Sequence, residues 1–550
     1  MTHALDFRPW PTHEVTNQPP PLPSLNLFEG DVALREAVRR SGARSAEPHL
    51  SNSGKRAGDA RVQELARVAN RNAPELHAFD RFGHRTDHVE FHPAYHELMQ
   101  LVFGDGVHSL AWTAREGGHA ARTALSYIWN QADQGVNCPT SMTYASVKAL
   151  RNNPALAAAL EPKILANGYD PRPISFRHKS AITVGMAMTE KQGGSDLRAV
   201  ATVARPASDG EFGREYELTG HKWFCSAPMS DGFLTLAQTK NGVTCFFVLR
   251  SLADGTRNTF LIQRLKDKLG NRSNASSEIE FAGTRAMQIG EEGRGIPTLI
   301  EMAHLTRLET AISSAAIIRR ALTEALHHTR HRRTFQRALI DQPIMQSVLA
   351  DIAVESEAHL ALTMRAAQAQ DLAATDENEA LLARFLVPLA KFWVCKRAPV
   401  LVAELLECFG GNGYVESGVV ARLYREAPLN GIWEGSGNII CLDLLRVLRR
   451  EPAVRDALRR EIRVDGSDVL NRSWDEIDDL IDEVTGHEQG ARRLAEDIAI
   501  AVQYALLSRY APDFVADSFR ASKIDRPHLT LGSLKTDASL RRVVERAMVT

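Results

Sequence analysis

Glu434 lies in Ile432-Trp433-Glu434-Gly435-Ser436-Gly437-Asn438, a carboxylate beside a turn of small residues after a helix-rich run. Taking a proton from a weakly acidic C–H needs a base, and a carboxylate serves if burial raises its pKa. The plain alternative is a helix-start residue near Ser436. Upstream, in a β-rich region, stands Met188-Thr189-Glu190-Lys191-Gln192-Gly193-Gly194-Ser195-Asp196. Gly193 and Gly194 let backbone N–H groups approach a phosphate closely, and Ser195 adds a hydroxyl donor. The plain alternative there is a β-turn at the start of a domain.

Motifs so far apart need separate elements to hold them. At 550 residues the chain is longer than a single core usually supports, so two to four domains are expected. Hydrophobic residues at 44% and charged residues at 24% fit a soluble globular protein. The net charge of −1 gives no bulk attraction to nucleic acid or membrane, so any such site must be a local patch. Cys138, Cys225, Cys245, Cys395, Cys408 and Cys441 form no C-x-x-C pair and none has zinc spacing with a His. They predict free thiols, no metal site and a reduced, cytoplasmic protein. The N-terminus lacks the basic start and apolar run of a signal peptide. No apolar run nears the ~18 residues that span a bilayer.

Along the chain, residues 1–30 are Pro-rich and predict an extended arm lying against another surface. Residues 31 to about 180 read as helical, with a break at Asn153-Pro154. From about 181 to 290 the chain is rich in Val, Thr, Phe and Ile. Val243–Leu249 and Ser277–Phe281 read as strands, and Ser208-Asp209-Gly210 and Ala253-Asp254-Gly255 as turns. Long amphipathic patterns fill 291–450. One of them carries Pro388 and Pro399 and is expected to kink or split there. Residues 451–550 are again helical. The order is α, β, α and a helical extension, an α+β chain.

Further segments follow in order: Gly220-His221-Lys222-Trp223-Phe224-Cys225-Ser226, Lys268-Leu269-Gly270-Asn271-Arg272-Ser273, Arg332-Arg333-Thr334-Phe335-Gln336 and Gly410-Gly411-Asn412-Gly413-Tyr414. The whole set, over about residues 60–450, resembles the acyl-CoA dehydrogenase flavoprotein family. Asn17–Pro21, Cys138–Thr143, Lys266–Ser276, Ile432–Asn438 and the tail after Glu451 narrow the resemblance to its AidB-type, alkylation-response branch. The resemblance implies an N-terminal arm and helical domain (1–180), a central β-barrel or sandwich (181–290), a helical domain bearing the base (291–450) and a helical extension (451–550).

It also implies roles. Glu434 would remove the substrate α-proton. Met186, Met188, Thr189, Gly194, Ser195, Phe224, Ser226, Arg332, Phe335, Gly410, Gly411, Trp433, Gly435, Ser436 and Asn438 would hold FAD. Thr189, Ser195, Phe224 and Ser226 are expected on one side of it, and Gly411, Ser436 and Asn438 on the other. In a homotetramer, Arg332 would reach the FAD pyrophosphate of a neighbouring subunit, where a guanidinium fork suits phosphate. The branch is associated with double-stranded DNA through a basic C-terminal surface. Arg446, Arg449 and Arg450 share a helical stripe, which Arg459, Arg460 and Arg463 repeat. Against this, residues 451–550 hold 15 Lys plus Arg and 19 Asp plus Glu, and a solvated face explains the stripe equally. Several positions depart from the family pattern: Phe224 for Trp, Ser226 for Thr, Gln336 for Gly, Glu407 for Gln, and His304 where some members have Asp. They bear on the CoA-ester site more than on FAD. Three readings follow: an AidB-like alkylation-response protein with residual dehydrogenase activity, a catabolic dehydrogenase of a short or branched acyl-CoA, and a flavin-stabilised DNA-binding protein.

Overall fold

The computed structural model describes residues 15–549 except 465, 485, 526 and 535–537, so the first 14 residues of the predicted arm lie outside it. The N-terminal region is helical apart from a hairpin, Glu75–Phe79 paired with Arg85–Glu90. The helical reading of 31–180 missed this hairpin. One of its faces is exposed, so its apolar content is low. The break at Asn153-Pro154 is where the helix Gln134–Leu150 gives way to Pro154–Ile164, and Asn153 caps the second helix.

The β-region closes into a barrel. Gly232–Thr239 pairs with Gly242–Leu249, then Ser276–Ile289, Gly213–Ser226 and Val203–Gly210. The last strand returns to the first through Val203 and Gln238. Val184–Ala187 and Phe260–Leu265 flank the ring. Gly232–Thr239 and Gly242–Leu249 are buried on both faces, which is why Val243–Leu249 reads as a continuous apolar run. Phe246 and Val248 pack in one core, while Cys245, Phe247 and Leu249 join a second core with the helix Gln134–Leu150 and with Leu299, Met302 and Leu305. The expected turn at 208–210 falls at Glu211–Phe212 instead, because the strand runs on to Gly210.

Four helices carry the rest of the site: a long helix Gly295–His331, then Pro343–Leu372, Glu377–Glu407 and Gly437–Arg450. The third does not split at Pro388 or Pro399. Its interior residues are buried between neighbouring helices, and this packing outweighs the lost backbone bonds. No described helix is long and apolar enough to cross a membrane.

The barrel edge nearest the site is fixed by a fully buried ion pair, Lys222 Nζ to Glu190 Oε1 at 2.7 Å. Glu190 also accepts from Thr202 Oγ1 at 2.6 Å, Ala201 N at 2.7 Å and Gln192 Nε2 at 2.7 Å. Burial alone would raise its pKa. The Lys222 charge and these bonds outweigh that and hold it at about 2. Glu190→Gln would leave Lys222 buried and unpaired, and should destabilise the protein by about 3–5 kcal/mol in urea titrations. In the wild type, the Glu190 contribution is full above the unfolded carboxylate pKa. It should fade as pH falls from there through about 2.

Candidate active site

Glu434 follows a short turn, Leu429–Gly431, and precedes Ser436, the N-cap of Gly437–Arg450. Its backbone is left-handed, φ 59°, as is that of Gly435. For a residue with a Cβ this costs about 1–2 kcal/mol, so neighbours must hold it. Arg307 Nε donates to the Glu434 carbonyl at 3.1 Å, and Lys391 Nζ donates to the Gly435 carbonyl. Arg307 is itself oriented by Asp443 at 2.8 Å, which also takes Arg384 at 2.9 Å. Trp433 Nε1 donates to Asn430, which donates to Ser313.

The Glu434 carboxylate accepts from Thr306 Oγ1 at 2.7 Å. Burial raises its pKa, opposed by Thr306 and by the charges of Arg307 and Lys391. A partly buried carboxyl with raised proton affinity is the form a carbon-acid base needs. Burial pushes His304 down to about 3, with Arg307 and Arg384 adding to it, so its imidazole is neutral at pH 7.

The barrel supplies the facing side. Thr189 is tied in by Trp223 N donating to its carbonyl at 2.7 Å. A Cβ on Gly194 would lie 2.3 Å from Thr189 Oγ1, so the loop closes on itself only with glycine there. A register shift between Lys222 and Cys225 turns both Trp223 and Phe224 away from the barrel core. Phe224 is exposed, with Lys266 Nζ 4.7 Å from its ring centre, and Ser226 is half-buried. Met186, Met188 and Trp433 belong to one apolar cluster with Cys138 and Met142, which brings the barrel edge and the base turn together. The Cys138 thiol is pushed up to about 12 by burial, and the charges of Lys268 and Glu434 act on it in opposite directions.

The other expected residues lie elsewhere in the chain. Thr306 and Arg332 share the long helix, Arg332 being its C-cap. They are 26 positions apart, roughly 39 Å at helical rise. Gly410 and Gly411 lie beyond the far end of Glu377–Glu407, where the ring of Phe409 lies 4.4 Å from that of His328, tilted by 38°. Gly437 packs on Lys396, and Gly411 is roughly 20 Å further along. Within one chain, Gly410 and Gly411 therefore lie with Arg332 and Phe335, apart from Ser436 and Asn438, with which Gly411 is expected on one side of FAD. The arm holds this second cluster, with Arg332 Nη1 donating to the Asn17 carbonyl at 2.6 Å and Asn17 bonding both ways with Arg333. Phe335 and Gln336 are both left-handed at the hairpin tip, and Phe335 is 93% exposed. The family's Gly at 336 suits that conformation, which Gln336 adopts under strain.

FAD requires donors for a pyrophosphate and a flavin ring. The hydroxyls of Thr189, Ser195 and Ser436 make no protein hydrogen bond among the described residues, and Ser436 stands at a helix N-terminus without capping it. Arg332 meets no carboxylate among the described residues, and a Cβ at Gly410 or Gly411 would find open space. This donor set fits the cofactor, divided between two clusters. Thr306, Arg307, Lys391 and Asp443 were not found from the sequence, since each sits on a helix with no motif around it.

Arg446, Arg449 and Arg450 are exposed on Gly437–Arg450, with Arg446 3.5 Å from Asp443. The acidic run is partly committed within the fold: Arg455 binds Asp478 at 2.5 Å and Asp482 at 2.6 Å, and Arg463 binds Asp475. Arg460 donates to Asn378.

Residues 17–171 match the family described as Adaptive response protein AidB N-terminal domain. Residues 185–284 and 293–448 match the Acyl-CoA dehydrogenase middle and C-terminal domains. The chain is 46% identical over 463 residues to AidB of Escherichia coli (strain K12), covering 84% of this chain and 85% of that protein. The structure of Caenorhabditis elegans ACDH-11 in complex with C11-CoA superposes with a TM-score of 0.84 at 25% identity, over 98% of this chain and 93% of that one. The chain Bd2924, in its apo-form, gives 0.83 at 28% identity, over 91% of this chain and all of that one.

Replacing Gln336 by Gly relieves a strained turn position without removing a buried contact. It should raise stability by about 1 kcal/mol, seen as a higher urea midpoint at unchanged slope.

Proposed function

The chain belongs to the acyl-CoA dehydrogenase family, in its AidB-type branch, its cofactor is FAD, and from that premise we propose that it removes the α- and β-hydrogens of an acyl thioester. The observation that carries this reading is the Glu434 carboxyl: partly buried, raised in pKa by burial and bonded to Thr306, beside the barrel edge. FAD, when bound, accepts the β-hydrogen as hydride. Glu434 takes the α-proton. Arg307 and Lys391 fix the peptide carbonyls that aim it, and Asp443 fixes Arg307. Met188, Trp433 and the cluster behind them give the turn an apolar flank. Thr189, Ser195, Ser226 and Ser436 supply the donors that hold the cofactor in one subunit. Arg332, Phe335, Gly410 and Gly411 supply those of a neighbour, in a homotetramer. ACDH-11 holds C11-CoA, and a fatty acyl-CoA is the substrate class we take for this chain.

A second activity, in the response to DNA alkylation, rests on the exposed arginines of Gly437–Arg450. Pairing with Arg455 and Arg463 neutralises Asp475, Asp478 and Asp482 locally, while the net balance of the extension is unchanged. Arg446 and Arg450 would contact the backbone of double-stranded DNA without reading its sequence.

Glu434→Gln should abolish anaerobic flavin bleaching by acyl-CoA while FAD stays bound. In the wild type the bleaching rate should rise with pH through an acid limb above the ordinary carboxylate range, since burial raises the pKa of the base. A wild type that no acyl-CoA bleaches would sink the dehydrogenase reading. Arg446→Gln with Arg450→Gln should weaken binding to all duplexes alike and lower the salt slope by roughly 2. Unchanged DNA titration at low salt would reduce the stripe to a solvated face.

A further inference from the structure

Lys391 is 1% exposed, yet its ammonium makes no ion pair among the described residues. Its described bond is to the Gly435 carbonyl. A buried charge so poorly matched is unfavourable unless an opposite charge lies close. The groups around this turn leave one candidate. From the long helix come Arg307, a cation, and His304, neutral at pH 7. From the helix of Lys391 itself come Arg384, Lys396 and Cys395, whose thiol burial keeps protonated. From Gln134–Leu150 come Lys148 and Cys138, the latter likewise protonated. From Gly437–Arg450 comes Asp443, already committed to Arg307 and Arg384. Lys268 adds a further cation near Cys138. Glu434 is the remaining carboxylate. Each favours the charged form of the other.

We propose that Lys391 is a positioning residue for the base: its ammonium pins the Gly435 carbonyl, and so the left-handed turn at Glu434, and adds to Arg307 a second positive charge beside the Glu434 carboxylate. The proposal rests on the reading of Glu434 as the base. Lys391 acts through Glu434 rather than on the substrate.

Three substitutions separate its charge from its hydrogen bond. Lys391→Gln keeps a donor for the Gly435 carbonyl and loses the charge, Lys391→Met loses both, and Lys391→Arg keeps both. With undecanoyl-CoA as reductant, the acid limb of flavin bleaching should move up by roughly one pH unit in the Gln and Met variants, and stay near wild type in Arg. A second measurement does not need turnover. The thermal midpoint of the holoprotein should fall further below wild type in Lys391→Gln as pH rises from about 5 to about 8, because the ionised Glu434 then lacks that second positive charge. In a Glu434→Gln background that pH dependence should vanish. If the midpoint difference is flat with pH in both backgrounds, or if the Arg variant shifts the acid limb as Gln does, Lys391 only packs and the proposal falls. If no acyl-CoA bleaches the wild type, the dehydrogenase reading fails by itself, and the stability cycle still decides the role of Lys391.

Discussion

The length of one helix constrains everything else. Gly295–His331 is continuous and carries Thr306 near its start and Arg332 at its end, roughly 39 Å apart. Nothing in a single chain can close that distance, because the helix is clamped by the barrel at one end and by Pro343–Leu372 and Glu377–Glu407 along its length. The molecule therefore has two half-sites. One holds Glu434 and the barrel loop, and the other holds a guanidinium that meets no carboxylate among the described residues, two open glycines and an exposed phenylalanine. A cofactor that needs both sets must take them from two copies. On the proposed reading, oligomerisation then belongs to the site itself. The second cluster is also the one with a strained, protruding hairpin, which suits a surface that a partner covers.

Two carboxylates near the barrel edge illustrate how environment assigns role. Glu190 and Glu434 are both taken from water, and burial raises the pKa of each. Around Glu190, a lysine, a hydroxyl and backbone N–H groups converge on the oxygens and reverse the effect. It is a permanent anion and a structural anchor. Around Glu434 one hydroxyl reaches the carboxylate, while the nearby cations bond to backbone carbonyls or to Asp443 instead. The proton affinity stays raised, and the group can still exchange a proton. Desolvation is common to both sites, so the difference lies in where the cations point.

Much of this was legible in the sequence because it is local. The loop at Gly193-Gly194 and the turn at Glu434-Gly435 are spelled by residues that sit next to one another, and the barrel announces itself through runs such as Val243–Leu249. What was not legible depends on distance. Thr306 and Lys391 lie in long, largely buried helices, and their meeting with Glu434 follows from packing across more than one element. Motif order put Gly411 near Ser436 because order carries no length, while the helix between them does. The hairpin Glu75–Glu90 was hidden because half of its residues face solvent. Pro388 and Pro399 misled for the opposite reason: tertiary burial kept intact a helix that local propensity would break.

Charge in the C-terminal extension has the same lesson. Its composition is acidic, which argues against a polyanionic partner, yet the sum does not say where the charges of each sign are placed. Asp475, Asp478 and Asp482 sit on the helix Asp468–Val484 and turn toward Arg455 and Arg463, so acid and base pair locally. Arg446 and Arg450 project from Gly437–Arg450, the helix whose first turn follows the base. That helix is 14 residues long, so its ends are about 20 Å apart. At that separation in water, screening by salt leaves little direct electrostatic coupling between the arginines and the carboxylate. One helix can therefore carry the Glu434 turn at its start and a cationic end in solvent without either setting the protonation of the other.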